Sequence, residues 1–265
     1  MSTLKHDEIR QAVRQQYGRV AASGGGCGAA SSCCGSPAPD ADELSQALGY
    51  SADETSSVPA GANLGLGCGN PQAIASLKLG ETVLDLGSGG GFDCFLAARQ
   101  VGDSGQVIGV DMTPEMISKA RANAAKGGYQ NVEFRLGEIE SLPVADGSVD
   151  VIISNCVINL SPDKGRVFAE AYRVLKPGGR LAISDVAALA ELPEDARRDM
   201  ALYTGCISGA SLVQNVEALL IANGFEQVRV RPKHESKAFI ADWVPRTPIT
   251  DYIVSTTIEA VKPKI

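Results

Sequence analysis

In the middle of the chain, short apolar runs alternate with amphipathic stretches, and this alternation predicts the architecture. Runs at 82–86, 106–110, 132–136, 149–155 and 180–185 read as strands, and helical periodicity falls between them at about 93–101, 114–126 and 163–175. Segments that alternate in this way build an α/β fold, a doubly wound and mostly parallel sheet with right-handed crossovers. Val149-Asp-Val-Ile-Ile-Ser-Asn155 is almost continuously apolar, as expected of a strand covered on both faces. Pro177-Gly-Gly179 predicts a tight turn into the fifth strand. Beyond Asp185 the pattern predicts helices near 193–205 and 213–223, a strand at 225–231, a helical piece near 236–243 and a last strand at 252–261.

The amino-terminal quarter reads differently. Residues 4–20 form an amphipathic helix pattern, 21–39 a Gly/Ser/Ala-rich loop carrying Cys27, Cys33 and Cys34, and 41–49 a short helix. Residues 51–70 read as loop, ending at Gly67-Cys68-Gly69, with a helix following to Leu79. The expected organisation is therefore amino-terminal helices and Cys-bearing loops over 1–70, a Rossmann-like core over 71–190, and substrate-side helices with the sheet's final strands over 191–265.

Charge and composition narrow the function classes. The 265 residues carry a net charge of −7 without a run of Lys or Arg, which argues against nucleic acid as a partner. No stretch approaches the roughly 20 apolar residues of a membrane span. Met1-Ser-Thr-Leu-Lys-His-Asp-Glu8 lacks the apolar core of a signal peptide, so the expected location is cytoplasmic. In that reducing setting seven cysteines at irregular spacing point to thiol chemistry rather than to a disulfide framework. His6 and His234 are the only histidines, too few for a His-rich metal site.

The first strand runs into Asp85-Leu-Gly87-Ser88-Gly89-Gly-Gly91. Glycines there let backbone approach a ligand, but Phe92 stands where a dinucleotide fingerprint needs a small residue. This turn resembles the first motif of class I S-adenosylmethionine-dependent methyltransferases. Asp111, ending the second strand, suits the two ribose hydroxyls, with Met112 beside it. Gly137-Glu138-Ile139 follows the third strand, where such enzymes place a polar residue near the adenine. Leu175-Lys-Pro-Gly-Gly179 matches their turn before strand five. The resemblance implies S-adenosylmethionine as cofactor, contacted by Asp85, Gly87, Ser88, Gly89, Gly91, Asp111, Met112, Gly137, Glu138, Ile139 and, near its methionine part, Asn155.

Ser154-Asn-Cys-Val-Ile-Asn-Leu-Ser-Pro-Asp-Lys164, Gly67-Cys68-Gly69, Gly205-Cys206 and Val110-Asp-Met-Thr113 resemble the arsenite methyltransferases over nearly the whole chain. That resemblance implies that Cys68, Cys156 and Cys206 hold As(III), with Cys33 or Cys34 assisting. It also implies arsenite or its thiol conjugates as substrate and a thiol reductant, glutathione or thioredoxin-like, as partner. Soft thiolates suit a soft centre, and arsenic bound by three of them keeps a lone pair that can take a methyl group without a general base. Cys94 reads as a packed thiol. Two competitors stand beside this reading: a methyltransferase acting on a small organic acceptor such as a quinone precursor, and a non-catalytic metalloid or zinc sensor. Structural zinc sites favour close Cys-x-x-Cys pairs, which Cys68, Cys156 and Cys206 do not form.

Overall fold

The computed structural model describes residues 5–23, 40–244 and 248–264. Cys27, Cys33 and Cys34 lie outside the described residues. The helices α1 (His6–Ser23), α2 (Ala41–Ala47), α3 (Ala52–Ser56) and α4 (Gln72–Ala75) precede the sheet. Then β1 (Thr82–Leu86), α5 (Phe92–Val101), β2 (Gln106–Asp111), α6 (Pro114–Gly127), β3 (Val132–Leu136), β4 (Val149–Asn155), α7 (Lys164–Val174) and β5 (Leu175–Ala188) follow. The chain continues through α8 (Glu194–Arg198), α9 (Met200–Thr204), β6 (Ser211–Leu212), α10 (Val213–Ala222), β7 (Glu226–Lys233), α11 (Lys237–Ile240) and β8 (Ile253–Val261).

The strands form one sheet in the order β3-β2-β1-β4-β5-β8-β7, with β6 pairing the end of β5. Pairs within β1 to β5 are parallel, and β8 is antiparallel to both β5 and β7. Side chains alternate faces along each strand. Leu84, Leu86, Ile108, Val110 and Ile152 meet α7 and α10 through Val167, Phe168, Ala171, Val216 and Leu220. Val83, Val107, Val151 and Ile153 meet α5 and α6 through Phe95, Ala98, Ile117 and Ala120 on the opposite face. Helix-covered faces on both sides explain the continuous apolar strands.

Several elements differ from expectation, each for a local reason. Expected to run to Leu79, α4 stops after one turn: Ser76 adopts φ +47, and Arg180 captures the carbonyls of Ala75 and Ser76, each at 2.8 Å. The helix expected over 193–205 breaks at Asp199, whose carboxylate accepts from the backbone N–H groups of Ala201 and Leu202 and caps α9. Within the supposed loop 51–70, Ser51 and Glu54 form a capping box that starts α3. Strand β5 already pairs at Leu175, before the Pro177-Gly-Gly179 turn, through a register shift against β4. It also runs past the end of β4 to Ala188, where β6 and β8 pair with it.

Candidate active site

Strands β1, β2 and β4 end on the same edge of the sheet, the edge where open α/β sheets bind ligands. Beyond β1 the chain turns through Gly87, Ser88 and Gly89, and the N–H groups of Gly87 and Ser88 donate to the Val110 carbonyl at 2.7 and 3.0 Å. Gly87 has φ +71, and a Cβ there would stand 2.4 Å from a Val157 methyl. At Gly89 (φ +52) a Cβ would meet nothing within 4 Å, so the turn borders open space. The half-buried Asp111 carboxylate faces it and accepts from the N–H of Gly89 at 3.0 Å and of Thr113 at 2.8 Å. Burial pushes the Asp111 carboxyl up, against the pull of those backbone donors. Ser88 Oγ is buried with no protein partner. Open space at the turn, a buried hydroxyl without a protein partner and a carboxylate beside it fit S-adenosylmethionine.

The remaining cofactor-side residues extend this edge. Gly137 N–H donates to the Asp111 carbonyl at 3.0 Å, and Ile139 is buried in the apolar layer beneath. Glu138 is half-exposed and lies 3.2 Å from Arg14 and 3.4 Å from Arg10, both on α1. Arg10 also reaches the buried Glu140 at 3.1 Å, so α1 is fastened across the ends of the loops that carry both acids. Asp85 is buried and its carboxyl pushed well up by burial, and the Cys94 thiol donates to it at 3.2 Å. Cys94 belongs to the α5 and α6 face, not to the edge.

The other three described cysteines come together from distant parts of the chain. Cys68, Cys156 and Cys206 share one buried cluster with Ile9 and Val13 of α1, Leu160, Val186, Leu192 and Tyr203. Met112, adjacent to Asp111, packs on the same cluster and joins the glycine turn to the thiols. The neighbouring thiols, first Cys206 and then Cys68, together with burial push the Cys156 thiol's pKa well up. Burial pushes the Cys68 thiol up as well. Cys206 Sγ is turned toward the Cys156 carbonyl at 3.5 Å, and the Tyr17 hydroxyl of α1 sits 3.7 Å from it. As the side chains stand, no group of three or more His, Cys, Asp or Glu among the described residues is arranged to hold a metal ion.

Both Cys156 (φ +58) and Cys206 (φ +66) adopt the left-handed region. Non-glycine residues enter it rarely, and such outliers concentrate at functional sites. The cause at Cys156 is visible in the chain. The Cys156 N–H still donates to the Ser184 carbonyl of β5 at 2.8 Å, and the next residues must turn at once into the helical turn 158–160.

Asn155 acts on the Cys68 loop. Its Oδ1 accepts from the Cys68 N–H at 3.0 Å, and its Nδ2 donates to the Gly69 carbonyl at 2.7 Å and to the Tyr50 hydroxyl at 3.1 Å. Tyr50 in turn donates to both oxygens of the buried Asp93, at 2.8 and 3.0 Å. Sequence reasoning missed Tyr50, Asp93, Asn159 and Asp185. Only Asp185 carried a usable signal, an acid at the ligand-side end of an apolar strand. A cavity of about 510 Å³, lined by Ile9, Ser161, Lys164, Arg197, Tyr203 and Gly209 among others, shares Ile9 and Tyr203 with the thiol cluster and opens beside it.

Sheet order, glycine turn and carboxylate after β2 define a Rossmann-like methyltransferase, and the methyltransferase-domain family model matches residues 77–224. The chain is 57% identical over 269 aligned residues to the arsenite methyltransferase of Halobacterium salinarum, covering 97% of this chain and 67% of that protein. To the arsenite methyltransferase of Aquipseudomonas alcaligenes it is 50% identical, over 62% of this chain and 49% of that protein, so it spans about half of that relative. The solved arsenic(III) S-adenosylmethionine methyltransferase of Chlamydomonas reinhardtii superposes with a TM-score of 0.62 at 36% identity, over 86% of this chain and 75% of that one. The chain belongs to the arsenite methyltransferase family. Among the described residues, no helix is long and apolar enough to cross a membrane.

Proposed function

We propose that this chain methylates trivalent arsenic held by Cys68, Cys156 and Cys206, with S-adenosylmethionine as methyl donor. The observation that carries the reading is the convergence of three buried thiols, with Met112 linking them to the glycine turn. The cofactor would lie along Asp85, Gly87, Ser88, Gly89, Gly91, Asp111, Met112, Gly137, Glu138 and Ile139, with Asn155 beneath its methionine end. When bound it supplies an electrophilic methyl on a sulfonium.

The chain's own residues provide alignment. Substrate enters as arsenous acid or a thiol conjugate. Each thiol that replaces a hydroxyl forms an S–As bond, and its proton leaves with that hydroxide as water. Cys206 must turn from the Cys156 carbonyl to complete the set. Apolar neighbours Ile9, Val13 and Leu160 exclude water from the arsenic lone pair. No general base is needed, and holding both reactants in line contributes up to about 7–11 kcal/mol. Methyl transfer takes arsenic to the pentavalent state. Two electrons from a thiol pair, with Cys33 or Cys34 taking part, return it to trivalent, and a glutathione or thioredoxin-like reductant resets the resulting disulfide. The site of action on this reading is the cytoplasm.

The test is product formation from arsenite, S-adenosylmethionine and a thiol reductant, run beside Cys156→Ser. Methylated arsenic from the wild type and none from the variant supports the thiol-held substrate. Equal turnover by both overturns it. Cofactor binding with no methylated arsenic from either would favour a small organic acceptor such as a quinone precursor.

A further inference from the structure

The cavity beside the thiol cluster is larger and more cationic than arsenous acid requires. Its volume is about 510 Å³, inside the range of about 300–1,000 Å³ typical of small-molecule sites. Arsenous acid is a single arsenic with three hydroxyls and is uncharged at neutral pH. Four parts of the chain build the cavity: the start of α1 with Ile9, the turn into α7 with Lys164, α8 with Arg197 and Arg198, and the loop before β6. That loop closes on the turn 158–160 because residue 209 is glycine, where a Cβ would run into the Asn159 carbonyl oxygen. None of the cofactor-edge residues lines the space.

The lining carries three cations, Lys164, Arg197 and Arg198, against one acid, Glu194, in a chain whose net charge is −7. Lys164 Nζ donates to the carbonyls of Asn159 at 3.2 Å and Ser161 at 2.9 Å. An ammonium has three N–H donors, so one is left for an anion. Burial pulls Lys164 down to about 8, and Asp185 and Glu140 offset this only in part. Arg197 pairs with Glu191 at 3.3 Å, and both side chains are exposed, so the pair is weak and exchanges readily for another carboxylate. Arg198 pairs with Glu194 of its own helix. At the buried end, Ile9 and Tyr203 belong to both the cavity wall and the thiol cluster, and the Cys206 N–H donates to the Tyr203 carbonyl at 3.1 Å. The cavity thus runs from a cationic rim to the packing of the thiols themselves.

We propose that this cavity binds the carboxylates of a small thiol that carries trivalent arsenic to the three cysteines, with Lys164 and Arg197 as the groups that hold them. The proposal rests on the arsenic-thiol reading of the site. The ligand class follows from the two ends of the cavity: soft arsenic travels on thiolate sulfur, and a cationic wall selects carboxylates. Each exchange forms an S–As bond to a cysteine of the chain and breaks one to the carrier. The cysteine's proton leaves on the carrier's sulfur as a free thiol, and no oxidant or reductant is consumed. The same carboxylate-bearing thiol without arsenic, acting as reductant, is the other source of this chemistry.

Two measurements on the full chain test this. S-methylglutathione has both carboxylates but neither arsenic nor a free thiol. It should bind in calorimetric titration, and Arg197→Gln should weaken it about tenfold through loss of one hydrogen bond between charged groups. Lys164→Gln should do the same, and if that variant does not fold, the exposed Arg197 carries the test. Stopped-flow capture, followed by Trp243 fluorescence, then compares arsenic tris-glutathione with arsenic complexed by 2-mercaptoethanol, an uncharged carrier. In the wild type the glutathione complex should react about tenfold faster, and in Arg197→Gln the ratio of the two rates should fall toward one. S-methylglutathione should also slow capture from the glutathione complex. If it instead raises only the KM for glutathione in turnover, the cavity serves the reductant and the carrier role is overturned. Absence of S-methylglutathione binding, or a rate ratio that Arg197→Gln leaves in place, would overturn the proposal. S-methylglutathione binding that Arg197→Gln weakens, with no fluorescence response to either arsenic complex, would instead mark failure of the arsenic reading and keep the carboxylate site.

Discussion

Replacing Asn155 by alanine should detach the Cys68 loop from the sheet. The side chain makes three hydrogen bonds, to the Cys68 N–H, the Gly69 carbonyl and the Tyr50 hydroxyl. Each contributes about 0.5–1.5 kcal/mol net, and a buried partner left unsatisfied costs about 1–3 kcal/mol. Cys68 and Gly69 are buried, so water does not fully replace the lost amide. The sum is about 3 kcal/mol. For a chain of this size about 1 kcal/mol moves the melting temperature by 2–4 °C, so thermal unfolding should fall by about 6–12 °C. If part of the cost appears as local opening, the fraction of molecules with Cys68 in place drops, and arsenite affinity falls with it. Differential scanning calorimetry paired with arsenite titration, followed by fluorescence of the single tryptophan, Trp243 beside the thiol cluster, reads both quantities. A melting change below about 2 °C together with unchanged arsenite affinity would refute the account of Asn155 as the loop's anchor.

Three further outcomes follow from the same geometry. Gly87→Ala places a Cβ 2.4 Å from Val157 at φ +71, so cofactor affinity by calorimetric titration should fall at least tenfold, and an unchanged value would show that the turn adapts. Burial raises Asp93 to about 6 from an ordinary 3.8, so the folded state holds its proton more tightly and stability declines as pH rises between those values. At about 1.4 kcal/mol per unit the swing is about 3 kcal/mol, and Asp93→Asn should flatten urea-unfolding free energies between pH 4 and 6 by up to that amount. Cys94→Ala should leave arsenite stoichiometry unchanged while lowering stability by about 1–3 kcal/mol, because Asp85 loses a buried donor. A lost arsenic equivalent would place Cys94 in the site after all.

The strand and helix alternation from Thr82 to Ala188 was legible because the central strands β1, β2 and β4 are largely buried on both faces and the helices between them pack an apolar side on the sheet, so tertiary burial is written directly into local periodicity. Gly87, Gly89 and Asp111 were legible for a similar reason, since a close turn restricts residue type within a few positions. The sequence also marked Cys68, Cys156 and Cys206 as candidates, through residue type and placement at element ends.

Folding alone decided that these three thiols meet, because 88 and 50 residues separate them along the chain and no local pattern records a contact at that distance. Only the fold could show Asn155 holding the Cys68 loop, Asp185 holding Asn159 against Cys156, and α1 fastened to Glu138 and Glu140 by Arg10 and Arg14. These are polar side chains whose partners lie on other elements. Hydrogen bonds between distant elements leave no periodicity in the chain that makes them.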